Sequence, residues 1–163
     1  MLKTLRSRRR FAKGAPIRGI FVLLLSLTFI LLLGRLFGGD EPAAAIDAVD
    51  AFYSFEKDSN FAESWELFHP YMKAKFEKNH YIQDRNHVFM QHFGVTTFEY
   101  DIGSAKKVTD WTISMQPDAP PIGVVYRVPV VQHFKSKFGT FNIDQDVFVA
   151  NHDGEWLILW SYK

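Results

Sequence analysis

Three hydrophobic patterns succeed one another along the chain. Ile20–Leu33 is apolar throughout except for Ser26 and Thr28. From Ile46 to about Phe93 apolar residues recur at helical spacing, and from Val95 onward they alternate every second residue. The order predicts one apolar helix, then a helical segment, then a sheet.

The first pattern predicts a transmembrane helix over 19–37, carrying Gly19, Phe21, Leu24, Phe29, Leu33 and Arg35. At 1.5 Å per residue such a helix reaches about 28 Å, the thickness of one hydrocarbon core. Seven Lys and Arg precede it, whereas Asp40 and Glu41 follow. That asymmetry predicts a cytoplasmic N-terminus and an extracytoplasmic C-terminal domain. Arg35, near the exit, can snorkel to the interface. A cleaved signal peptide is the rival. Leu36 and Phe37 stand where small residues are needed, and Ala43–Ala45 lie too far on, so the span reads as an uncleaved signal anchor. Ser7–Lys13 resembles a twin-arginine export signal, with Ala12 in the leucine position. The Leu-rich run beyond it fits a juxtamembrane basic cluster better.

The second pattern predicts a helix from Asp40, a potential cap, through about Glu56, with Ile46, Val49, Phe52 and Tyr53 inward and Asp47, Asp50 and Glu56 on the wet face. Asn60 and Glu63 have capping-box form before a short helix, and Pro70 opens another turn. A further helix is expected from about Asn79 to Phe93, closed by Gly94. Strands are expected at about 96–102, 105–115, 122–134, 140–151 and 155–162, with a hairpin turn at Asn151–Gly154. Pro129 inside a strand pattern implies an edge position or a bulge. Helices followed by an antiparallel meander give an α+β class. In the last strand Trp156, Ile158, Trp160 and Tyr162 share one face and Leu157 and Leu159 the other. A strand apolar on both faces needs cover on both: helices on one, and a partner or the sheet's own curvature on the other.

Charge sharpens this division. The 163 residues have a formal net charge of +1, yet all 18 acids lie from Asp40 onward against eleven basic residues there, a net of −7. An acidic domain makes a poor nucleic-acid binder. No cysteine is present, which excludes disulfides, thiolate metal sites and a thiol nucleophile.

Ala51–Phe61, the Trp65–Pro70 turn and Phe148–Ile158 together resemble the NTF2-like, or cystatin-like, cone fold. They are most similar to the NTF2-like N-terminal domain of MecA-type class B penicillin-binding proteins. The resemblance implies about three helices on a curved antiparallel sheet. The expected organisation is a basic cytoplasmic segment (1–18), a transmembrane helix (19–37), a linker (38–41) and an NTF2-like domain (42–163). Those penicillin-binding proteins continue into a transpeptidase domain where this chain ends. Ser54–Lys57 and Ser104–Lys107 read S-x-x-K without the companion motifs of that chemistry. The resemblance therefore implies a membrane-tethered spacer or docking domain in the bacterial cell envelope. Its partners would be the lipid bilayer and envelope proteins or a second copy, with no nucleic acid.

Some NTF2-like proteins are isomerases, cyclases or dehydratases, which need a carboxylate or His in an apolar cavity. Asp110, Glu99 and His133 are the candidates here, with Asp144 and Asp146 beside them, for an alternative enzymatic or small-ligand role. Trp156, Trp160, Trp111 and Tyr53 are candidates for a ligand or partner surface, though aromatics at such spacing more often fill a core. His80 and His87 could share a helix face two turns apart, too far for one ion. Neither cofactor nor metal is expected.

Overall fold

The computed structural model describes residues 40–113 and 120–161, and Asp40–Lys163 forms one compact unit. Its class is α+β: helices first, then a five-stranded antiparallel sheet. Among the described residues no helix is long and apolar enough to cross a membrane. The expected span over 19–37 and Tyr162 lie outside the described residues.

Helix α1 (Glu41–Lys57) begins with Pro at its first turn and buries Ala45, Val49, Phe52, Tyr53 and Glu56. Asp40 occupies the cap position without a side-chain cap bond. Three short helices follow: α2 (Phe61–Glu66), α3 (Pro70–Lys75) and α4 (Lys78–Asn86). Asn60, like Asp40, makes no side-chain cap bond. The caps that do form are unpredicted: His69 Nδ1 accepts from the Tyr71 amide, and the Glu77 carboxylate from the His80 amide. The single helix expected through Phe93 changes pitch at His87. A π-helix, π1 (His87–Phe93), completes it, and Gly94 closes it at φ 65°. The left-handed closure is the glycine C-cap that the sequence predicts.

The strands are β1 (Glu99–Ile102), β2 (Lys106–Trp111), β3 (Ile122–Ser136), β4 (Gly139–His152) and β5 (Glu155–Trp160). β3 pairs with β4 on one side and with β1 and then β2 on the other, so it is no edge strand. Pro129 is accommodated by a bulge. Between the pairs Ile102↔Val130 and Lys106↔Arg127, Gly103–Ala105 oppose Val128 and Pro129. The Gly103 amide donates to the Pro129 carbonyl at 2.8 Å, and a Cβ on Gly103 would lie 2.6 Å from Pro129 Cγ. Only glycine permits that approach. In the β4–β5 hairpin Asp153 (φ 54°) and Gly154 (φ 92°) supply the two left-handed positions of the predicted turn.

The helices cover the sheet face bearing Tyr126, Val128, Val130, Phe134, Val147, Val149, Ile158 and Trp160, all buried. Trp160 lies 4.8 Å from Phe68, 5.6 Å from Phe52 and 6.1 Å from Phe76 by ring centroid. Phe89 stacks between Phe61 and Phe98, and Phe134 packs on Phe89 at 5.5 Å. The second face of β5 is covered too. Leu157 and Leu159 are 8% and 0% exposed, and Trp111 packs at a tilt, 4.9 Å by centroid, on Phe148, the cross-strand neighbour of Leu159. The sheet's own wrapping satisfies this face.

The outer edge of β5 is blunted by the α2–α3 link. His69 N–H donates to the Ile158 carbonyl at 2.9 Å, and Ile158 N–H to the Leu67 carbonyl at 2.8 Å. The His69 ring is 5% exposed; burial, aided by His152 nearby, pushes its pKa down to about 4. The unfolded chain takes this proton near pH 6.5, the fold only near 4. Stability from the neutral ring is therefore complete above pH 6.5 and declines as pH falls toward 4. A His69→Asn chain keeps a cap acceptor and loses the titration. The fall in its melting temperature between pH 6.5 and 4 is expected to be smaller than that of the natural chain. An equal fall in both would contradict this assignment.

Candidate functional site

Of the residues singled out for chemistry, the structure brings Glu99 and His133 together. They are direct partners across the β1–β3 ladder, and both line an open cleft of about 390 Å³. One wall is the irregular Gly94–Phe98 segment between π1 and β1; the other carries His133, Lys135 and Thr140 of the β3–β4 hairpin. Gly94 is followed by Val95, whose amide donates to Phe89, so the segment is held against π1. Ser59 Oγ binds the Thr96 carbonyl and Lys57 the Glu99 carboxylate at 2.7 Å, tying the wall to the C-terminal end of α1. Asp40 lies at the other end of that helix, about 25 Å away at 1.5 Å per residue.

The cleft's charges are committed unequally. Glu99 is neutralised by Lys57. His133 is held at both ring nitrogens: Nε2 lies 2.9 Å from the Asp101 carboxylate and Nδ1 2.9 Å from Asn142 Oδ1. Both partners accept, which favours the doubly protonated ring. The hydrogen bond to Asp101, with that to Asn142, raises the His133 pKa from its ordinary value. An imidazole so engaged keeps no nitrogen for a substrate proton. Lys135 has no ion-pair partner among the described residues, and Thr96, Thr97 and Thr140 stand exposed around it. An ammonium and hydroxyls over the apolar Val95 and Phe98 suit binding of a polar or anionic group better than proton transfer.

Asp110 does not join this site. It is exposed, at φ 53°, on the part of β2 that pairs with β3 near Gly123. Ten residues of β3 separate that position from His133, about 33 Å at 3.3 Å per residue. Asp144 and Asp146 lie on β4 beside a separate shallow groove with Pro129 and Val131, and Asp146 pairs with Arg127 at 3.3 Å.

Of the four aromatics considered for a ligand or partner surface, three are buried and the fourth, Trp156, is half-buried. Tyr53 is 1% exposed and donates to Gln145 at 3.0 Å; Trp160 is 6% exposed; Trp111 lies under Phe148; Trp156 is half-buried against Tyr126 at 5.7 Å. The three buried rings cannot offer a docking surface, whereas Trp156 keeps part of its ring exposed. Tyr53 lies on the buried stripe of α1, Trp156 and Trp160 on the helix-covered face of β5, and Trp111 beside Phe148 on the second face.

The sequence places Glu56 on the wet face of α1, and the structure corrects this. Its side chain is fully buried. Oε1 accepts from Ser64 Oγ at 2.5 Å and from Tyr81 OH at 2.7 Å; Oε2 accepts from Arg85 Nε at 2.7 Å and from Arg85 Nη2. A carboxylate has about four acceptor positions, and donors of this protein fill them all. Burial works to lower the Arg85 pKa, and Glu56 outweighs it, so the net shift is upward. Burial, then the Glu56 charge, raises that of Tyr81. The signal was present: Glu56 follows Phe52 by four residues and Tyr53 by three, on the buried stripe. Such a carboxylate is a structural keystone joining α1, α2 and α4.

No protein-family model matches the chain, and no curated protein matches it.

Proposed function

We propose that this chain is a single-pass bacterial membrane protein whose extracytoplasmic domain is an NTF2-like, non-enzymatic binding module of the cell envelope, akin to the N-terminal domain of MecA-type penicillin-binding proteins. One observation carries the non-enzymatic part. Among the described residues aromatic rings interlock through the core, and the buried carboxylate Glu56 is saturated by four protein donors. A cleft among the described residues instead opens at the surface, where Lys135 and three threonines are exposed. The helix-then-sheet order and the bulged, wrapping sheet support the NTF2-like assignment. The Leu-rich run, the basic residues before it and the acidic domain after it support the topology.

The absence of natural cysteine makes each introduced one a unique reporter. The test uses the full chain in intact cells with a membrane-impermeant maleimide carrying a photocrosslinker. Thr97→Cys in the cleft is expected to label and, on illumination, to give a discrete adduct. Ser7→Cys is expected to label only after lysis.

A further inference from the structure

The π-helix carries a feature that α-helical spacing conceals. His87 and His92 are five residues apart, which on an α-helix turns them away from each other. In the wider turn of π1 they fall one above the other. Their Nε2 atoms are 2.9 Å apart, the ring centroids 4.4 Å apart, and both rings are exposed.

We propose that His87 and His92 form a bis-imidazole chelate for a divalent late transition-metal ion that prefers right-angled coordination, Cu²⁺ foremost and Ni²⁺ next. The two distances make the argument. Metal–imidazole bonds of about 2.05 Å meeting at 90° put the two nitrogens about 2.9 Å apart. With each ring centre about 1.15 Å behind its nitrogen, the same geometry puts the centroids about 4.5 Å apart. A tetrahedral angle would require about 3.3 Å and about 5.2 Å, a wider opening than the metal-free pair has. In the metal-free chain the same contact is a hydrogen bond, one ring Nε2–H donating to the other ring's Nε2, and a metal ion would take the place of that single shared proton. The observed pair matches the right-angled chelate in both respects, and Cu²⁺ and Ni²⁺ are the ions of tetragonal nitrogen–oxygen sites, with Cu²⁺ the tighter. Among the described residues no group of three His, Asp or Glu could hold a metal, so water or a partner's donors complete the shell. The site is thus an open, exchangeable one on the surface. On α-helical spacing the sequence pairs His80 with His87 and gives His87 and His92 no common face.

The test is titration of the full chain, purified in detergent without a polyhistidine tag, with Cu²⁺ alone and then with Ni²⁺ and Zn²⁺. One Cu²⁺ is expected to bind with an electron paramagnetic resonance spectrum of tetragonal type and nitrogen hyperfine structure from two imidazoles. His87→Ala and His92→Ala are each expected to weaken it roughly a hundredfold, the size of a chelate gain. His80→Ala, on the preceding helix, is expected to leave affinity unchanged, and all three chains are expected to melt together because the rings are exposed. Undiminished affinity in the His87→Ala/His92→Ala chain, a spectrum without two equivalent nitrogens, or Zn²⁺ binding tighter than Cu²⁺ would each overturn the proposal.

Discussion

Replacing Arg85 by Met is expected to destabilise the domain by about 3–5 kcal/mol, the cost of leaving a buried carboxylate without its counter-charge. For a unit of this size that is a fall of roughly 10–20 °C in melting temperature. Met keeps much of the bulk that Arg85 lays over Phe89, where the guanidinium sits 4.3 Å from the ring centroid, so the loss reports charge more than packing. Ser64 and Tyr81 still donate to Glu56, but two hydroxyls do not replace a guanidinium on a fully buried side chain. The double change Glu56→Leu/Arg85→Met removes both charges and is expected to recover most of the lost stability. Urea unfolding of the natural chain, Glu56→Leu, Arg85→Met and the double variant measures the cycle. A single Arg85→Met within about 1 kcal/mol of the natural chain would show that Glu56 does not depend on its partner.

Trp160→Ala is the second large effect, about 3–5 kcal/mol by loss of a core ring and the cavity it leaves. Four aromatic rings, Phe52, Phe68, Phe76 and Tyr81, lie within 6.3 Å of it by centroid, and its amide donates to Met72 Sδ at 3.1 Å. Trp160→Phe keeps most of that contact and is expected to cost less than half as much. A ligand-facing tryptophan would behave otherwise: truncation would leave the urea midpoint in place. Near-natural stability in Trp160→Ala would return this residue to the binding surface for which the sequence made it a candidate.

These two residues also show what the sequence could and could not convey. Period-two alternation located the strands within a few residues, and Asp153-Gly154 named its own hairpin, because these signals are local. Pro129 gave two options, and Gly103, 26 residues earlier and 2.6 Å away by its notional Cβ, decided between them. That decision needed the register of a non-local pair. Glu56 was misplaced because a charged residue is ordinarily assigned to water, while its counter-ion lies 29 residues on. The sequence offers Glu99 and His133 as separate candidates, and only the β1–β3 register makes them neighbours. Asp110 shared their chemistry but not their end of β3. The His87–His92 pair was hidden by pitch: nothing in His87–Phe93 announces a π-helix over an α-helix.

The proposed function requires that the domain face outward and bind through the end that carries the cleft. Thiol labelling and photocrosslinking of the full chain in intact cells test both halves at once. The account predicts that Thr97→Cys and Thr109→Cys, on β2, both label from outside and that only Thr97→Cys yields a discrete adduct on illumination, while Ser7→Cys stays dark until lysis. Labelling of Ser7→Cys in intact cells, or no labelling at Thr97 before lysis, would contradict the orientation. Full labelling at Thr97 with no adduct beyond that at Thr109 would contradict the binding module.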